Sequence, residues 1–175
     1  MRIIIDTDIL SMFAKVGAVD VLGEFLGRER VAVTPAIRNE IAMPMQYGYT
    51  FPGEVLSRIP VVPLTEPVWQ EYERLWAMGS SLGKGELEAI AFCRVEGGLF
   101  VTNDSAARRF AQDQSVPVIS LQAILRGLWL SGTRSKAEVQ ELLEQIKKAD
   151  YLEVPPEVEE EIFGENDSGE KTGPG

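Results

Sequence analysis

Four acidic residues, Asp6, Glu40, Glu86 and Asp104, stand where carboxylates can meet and do chemistry. Asp6 ends the apolar run Ile3-Ile4-Ile5 and opens Asp6-Thr7-Asp8, while Asp104 ends Leu99-Phe100-Val101-Thr102-Asn103. Glu86 falls in the first turn of the segment that Gly83-Lys84-Gly85 introduces, and Glu40 in the second turn after Thr34-Pro35. Carboxylates gathered together repel and raise one another's pKa. A divalent cation removes that penalty. Mg²⁺ or Mn²⁺ suits oxygen ligands and keeps positions open for water and phosphate oxygens. Such ions activate water and neutralise charge on a leaving oxygen, which points to phosphodiester hydrolysis.

The absences narrow the chemistry further. The 175-residue chain contains no histidine, which excludes a Ser-His-Asp triad, a Cys-His pair and a histidine zinc site. Its single cysteine, Cys93, excludes an internal disulfide and a cysteine-rich metal site. The net charge of −10 is concentrated at one end. From Asp150 onward nine acidic residues and one lysine carry −8, leaving −2 on residues 1–149. A polyanionic substrate is compatible with that division. No apolar run is long enough to span a membrane and no signal-type segment opens the chain, so a cytoplasmic protein is expected.

The elements that must position these acids follow from periodicity. Ile3–Ile5, Arg30–Val33, Val61–Leu64, Leu99–Thr102 and Val116–Ile119 read as short buried strands. Between them, helical patterns cover 9–16, 18–26, the segment after Thr34-Pro35, 66–78, 84–96, 105–112 and 121–130, and Ser135 caps a further helix over 136–148. This alternation predicts an α/β chain with a parallel sheet covered by helices on both faces. Ligands of such sheets bind at the carboxyl ends of the strands, where all four acids are expected. A single domain is expected over 1–149, including the 136–148 helix, followed by an acidic, Pro- and Gly-containing, partly disordered tail over 150–175.

These residues resemble the PIN-domain ribonucleases, the class that includes VapC-type toxins of toxin–antitoxin pairs. The resemblance rests on Asp6-Thr7-Asp8-Ile9-Leu10 after a strand, T-P-x-x-x-N-E-I with Glu40, L-G-K-G-E-L-E-A-I-A with Glu86, and L-F-V-T-N-D with Asp104. It covers residues 1 to about 130, and the segment beyond resembles the C-terminal extension of one PIN branch. The third acid is Glu86 where aspartate is commoner, and Asp8 stands where Asn or Ser is frequent. The resemblance implies a PIN-like three-layer α/β/α fold with a five-stranded parallel sheet. It also implies Mg²⁺- or Mn²⁺-dependent cleavage of single-stranded RNA, a homodimer and a small antitoxin partner.

Other residues are candidates for supporting roles. Thr7, Asp8, Thr102, Asn103 and Ser105 are expected to orient a carboxylate or the water beside an ion. Arg38, Lys84, Arg108 and Arg109 flank the acids and are candidate phosphate contacts, with ion pairing inside the protein an equal alternative. Tyr47, Tyr49 and Phe51 could stack unpaired bases, although covering a core edge or an interface is the simpler expectation. Trp69, Trp76 and Trp129 read as core or interface, and Glu88 as structural. Two other functions compete. A haloacid-dehalogenase-like phosphatase would use Asp6 as nucleophile and Asp8 as acid–base, and a non-catalytic PIN-like binding protein would hold no metal.

Overall fold

In a computed structural model the chain is described from Met1 to Gly164; residues 165–175, the distal part of the expected tail, lie outside the described residues. The strands are β1 (Ile3–Ile5), β2 (Val31–Ala32), β3 (Leu99–Val101) and β4 (Val118–Ile119), all parallel in the order β2-β1-β3-β4. Ile3, Ile4 and Ile5 are buried, as a β-branched run in a doubly covered strand requires. Because β1 pairs on both edges, whatever follows Ile5 emerges at the middle of the sheet's carboxyl edge.

Four strands form the sheet rather than five. The expected third strand at Val61–Leu64 is reduced to one parallel bridge, Val33 to Val61. Val33 N donates to Pro60 O at 3.0 Å and Val62 N to Val33 O at 2.9 Å, and pairing stops there. Pro60 and Pro63 flank the bridge and have no N–H to extend the ladder. Pro117 likewise trims the start of the last strand to Val118.

Helices flank the sheet. The first four are α1 (Thr7–Lys15), α2 (Val19–Leu26), α3 (Pro35–Ala42) and α4 (Pro52–Arg58), with a 3₁₀ turn at Met43–Tyr47 before α4. Next come α5 (Glu66–Ala77), α6 (Lys84–Glu96), α7 (Ser105–Asp113), α8 (Leu121–Leu130), α9 (Lys136–Asp150) and α10 (Pro156–Phe163). α6 packs on β1 and β3 and against α3 and α5, while α1 touches α3, α4 and α9. Cys93 is buried in α6, and burial pushes its thiol up to about 12. No helix among the described residues is long and apolar enough to cross a membrane.

The largest departure from expectation lies past residue 149. α9 ends at Asp150, with Tyr151 in a left-handed conformation, and the chain returns as α10 to pack on α8. Ile162 is buried, with Val158 and Phe163 partly buried beside it. Trp129 Nε1 donates to Ile162 O at 2.8 Å, and Arg126 donates to the carbonyls of Ile162 and Gly164. Residues 151–164 are thus folded against the domain rather than tail. The acidic side chains of α10 hid its three apolar anchors within a composition that reads as solvated. Ile162→Ala is expected to destabilise the whole domain by about 2–4 kcal/mol in chemical denaturation; an unchanged midpoint would mean that α10 does not contribute to the core.

Candidate active site

Asp6 is placed by two elements at once. It follows β1 directly and caps α1, its Oδ1 accepting from Thr7 N at 2.8 Å. The register Ile5 to Val101 makes Thr102 its neighbour past the end of β3, and Asp6 N donates to Val101 O at 2.9 Å. Thr102 is fully buried, and its hydroxyl donates to Asp6 Oδ2 at 2.8 Å. The same hydroxyl accepts from Asp104 N at 3.2 Å. One side chain thus orients the first acid and the backbone of the last.

Glu40 is oriented by two partners from other segments. Thr7 Oγ1 donates to Glu40 Oε2 at 2.6 Å, and Gly85 N donates to Glu40 Oε1 at 3.1 Å. The absence of a side chain at residue 85 is part of the site, since a Cβ there would lie 2.7 Å from both Glu40 carboxylate oxygens. The sequence marked the Gly83-Lys84-Gly85 turn but not this close approach, which depends on α3 and α6 lying together.

Glu86 Oε2 accepts from Gly83 N at 2.8 Å, closing the first turn of α6. Asp104 caps α7, its Oδ1 accepting from Ala107 N at 2.7 Å. Glu86 Oε1 and Asp104 Oδ2 accept no hydrogen bond among the described residues.

The acids share one electrostatic neighbourhood. Asp6 is only 6% exposed; burial, with Asp8 and Glu86 nearby, pushes its carboxyl up to about 7 against the hydrogen bonds from Thr102 and Thr7. Glu86 is raised by desolvation, and then by Asp104, Glu40 and Asp8, against its bond from Gly83. Asp8, at the open mouth, is raised by desolvation, Asp150, Asp104 and Glu40, with Lys15 opposing. Asp150 and Lys15 near the site were not anticipated, because a 135-residue separation brings them together only when α9 lies along α1.

The supporting candidates divide. Thr7 and Thr102 orient carboxylates. Asn103 instead lines a small cleft with Gln122, Leu143 and Val154, and its Oδ1 has no partner among the described residues. Ser105 is exposed in the first turn of α7. Lys84 pairs with Glu88 across 3.8 Å. Glu88 is 1% exposed and accepts from Ala36 N at 2.8 Å, which ties the start of α3 to α6 and gives it the structural role expected of it. Arg108 stands four residues after Asp104, on the same face of α7. Arg109 is exposed one position further round, and Arg38 lies two residues before Glu40, on another face of α3.

A PIN-domain family model matches residues 2–168. The chain belongs to the PIN-domain family. Among curated proteins none matches the chain. A PIN domain is a nuclease-type module that generally works with divalent metal ions, and the match runs through the C-terminal extension and α10. With the family established, the phosphatase interpretation of Asp6-Thr7-Asp8 loses its basis.

The donor set suits such an ion by type and by charge. All the side chains are oxygen donors, burial and then the like-charged neighbours push the Asp6 carboxyl up to about 7, and two carboxylate oxygens are free to turn. Among the described residues no three of them converge closely enough to enclose a cation in this conformation.

Two outcomes follow. Asp6 ionises less readily in the fold than in the unfolded chain, so metal-free protein should lose stability as pH rises from the usual aspartate range to about 7, then level off. The slope from Asp6 approaches about 1.4 kcal/mol per pH unit, and Asp6→Asn should remove that part of it, leaving what Asp8 and Glu86 contribute; melting at several pH values in chelator checks this. Gly85→Ala should fold with little change in melting temperature yet lose nuclease activity, because Glu40 must swing away; retained full activity would show that Glu40 needs no fixed position.

Proposed function

We propose that this PIN domain is a Mg²⁺- or Mn²⁺-dependent endoribonuclease that hydrolyses phosphodiesters of single-stranded RNA in the cytoplasm. The observation that carries it is that Thr7 and Thr102 tie together Asp6, Glu40 and the Asp104 backbone, with Glu86, from a fourth segment, close enough to act electrostatically on Asp6. Those four acids are the residues that would hold the ion. When bound, the ion supplies Lewis acidity toward a phosphate oxygen and lowers the pKa of water.

The chain's own contribution is positioning and charge. Thr102 and the α1 N-terminus hold Asp6 with both oxygens engaged, so its orientation is set before any ligand arrives. Thr7 and Gly85 N do the same for Glu40. Glu86 and Asp104 each keep one oxygen free to turn toward a cation. Arg108, on the Asp104 face of α7, is the best-placed candidate for a phosphate contact. A homodimer and a small antitoxin partner are carried by the family resemblance, and the exposed Trp76 and Met78 at the end of α5 are apolar surface that a second copy would cover.

A second reading, a non-catalytic PIN-like binding protein, is favoured by one observation: the carboxylates do not converge among the described residues. The two readings part in a simple assay. Purified protein should cut single-stranded RNA with Mn²⁺, Asp6→Asn should reduce cleavage to background, and Thr102→Val should cost about 10–100-fold. Absence of both cleavage and a Mn²⁺-dependent thermal shift in the parent would establish the binding protein instead.

A further inference from the structure

A second feature opens beside the carboxylates. A cleft of about 560 Å³ is bounded by Lys15 at the end of α1, Pro44, Tyr49 and Phe51 around the 3₁₀ turn, and Asp150 and Tyr151 at the end of α9. Its volume suits one small organic ligand. It lies beside the acidic site: Asp8 and Lys15 are seven residues apart on α1, sharing a face about 10 Å apart along it, and Asp150 and Lys15 both act electrostatically on Asp8. Lys15 forms an ion pair with Asp150, and its ammonium sits 5.4 Å from the Phe51 ring centroid.

Two rings in this cleft are poorly explained by folding. Tyr49 is 60% exposed and meets Phe51 edge-on, centroids 6.1 Å apart. Tyr151 is 92% exposed, so its ring buries almost nothing. It also holds a left-handed backbone, φ 52°, at the end of α9, where glycine or asparagine is the usual residue and a Cβ is a liability. A residue that is costly in backbone conformation and idle in packing is explained by something that its ring touches from outside.

We propose that this cleft receives one unpaired nucleotide of the RNA strand next to the scissile phosphate, its base against Tyr49, Phe51 and Tyr151 and its phosphate beside Lys15. A nucleotide fits this place because the cleft lies beside the carboxylate site, the Lys15–Asp150 pair holds an ammonium at its wall, and its aromatic faces accept any base. This rests on the ribonuclease reading above and extends it by one subsite.

Anisotropy of a short fluorescein-labelled oligoadenylate, and of the same strand with abasic sugars, tests this in Ca²⁺ to limit cleavage. Tyr49→Ala and Tyr151→Gly should each weaken oligoadenylate binding on the order of tenfold, with little effect on the abasic strand. Tyr151→Gly should melt at or above the parent temperature, which separates loss of a contact from loss of fold. With Mn²⁺, both variants should raise KM and leave kcat near that of the parent. Unchanged oligoadenylate affinity in variants of a parent that still cuts RNA overturns the subsite and leaves the nuclease standing. Equal loss on the abasic strand, or altered oligomeric state with RNA affinity retained, also overturns it. A parent that neither binds nor cuts RNA overturns both.

Discussion

Like charges in a poorly solvated crevice are the constraint on which this structure turns. Asp6 sits at the end of a strand paired on both edges, where water is largely excluded, and Asp8, Glu40, Glu86 and Asp104 are close enough to feel one another. Such a group would spread apart or stay protonated unless something offsets the repulsion. Within the chain the offset comes from donors: Thr102 and Thr7 hydroxyls, the Thr7 and Gly85 amides, and the first turns of α1, α6 and α7. Each donor also fixes a direction, so the arrangement that tolerates the charges also orients them.

The helix-start role and the site role of these acids are therefore the same role. Asp6 and Asp104 are N-caps, and Glu86 closes the first turn of α6 through Gly83 N. A carboxylate at a helix N-terminus is stabilised by the amide groups and dipole there, and in Asp104 and Glu86 the second oxygen remains available, whereas that of Asp6 accepts from Thr102. A domain can thus carry clustered acids at the carboxyl edge of a parallel sheet with modest loss of stability. The two threonines join separate segments by hydrogen bonds, Thr7 linking α1 to α3 and Thr102 linking β1 to the turn before α7.

The C-terminal region has a different logic. α9 lies along α1 and brings Asp150 to Lys15, while α10 folds back on α8 through Ile162 and the Trp129 indole. Between them the Asp150–Tyr151 junction reaches the rim of the acidic site. The acidic composition after residue 150 concealed this, because glutamates on the outer face of α10 outnumber the few apolar residues facing inward. Composition reports the solvated face of a short helix, whereas packing depends on Val158, Ile162 and Phe163.

Local pattern was enough to read the parallel α/β architecture, the helix starts at Thr34, Asp104 and Ser135, and the places of Asp6 and Asp104 past the ends of strands. Those features depend on neighbours within a few residues: a β-branched run, a cap, a proline at the first helical position. The fifth strand was overread because its apolar residues lie between two prolines whose missing amides matter only when a partner strand is present. The tertiary structure alone decided that Gly85 must lack a side chain, that Thr102 joins two acids, that Asn103 turns away, and that Lys15 and Asp150 border the site. Three of those depend on chain segments 45 to 135 residues apart meeting within hydrogen-bond or ion-pair distance, and the place of Asn103 depends on a cleft it shares with Gln122, Leu143 and Val154, none of which local spacing encodes.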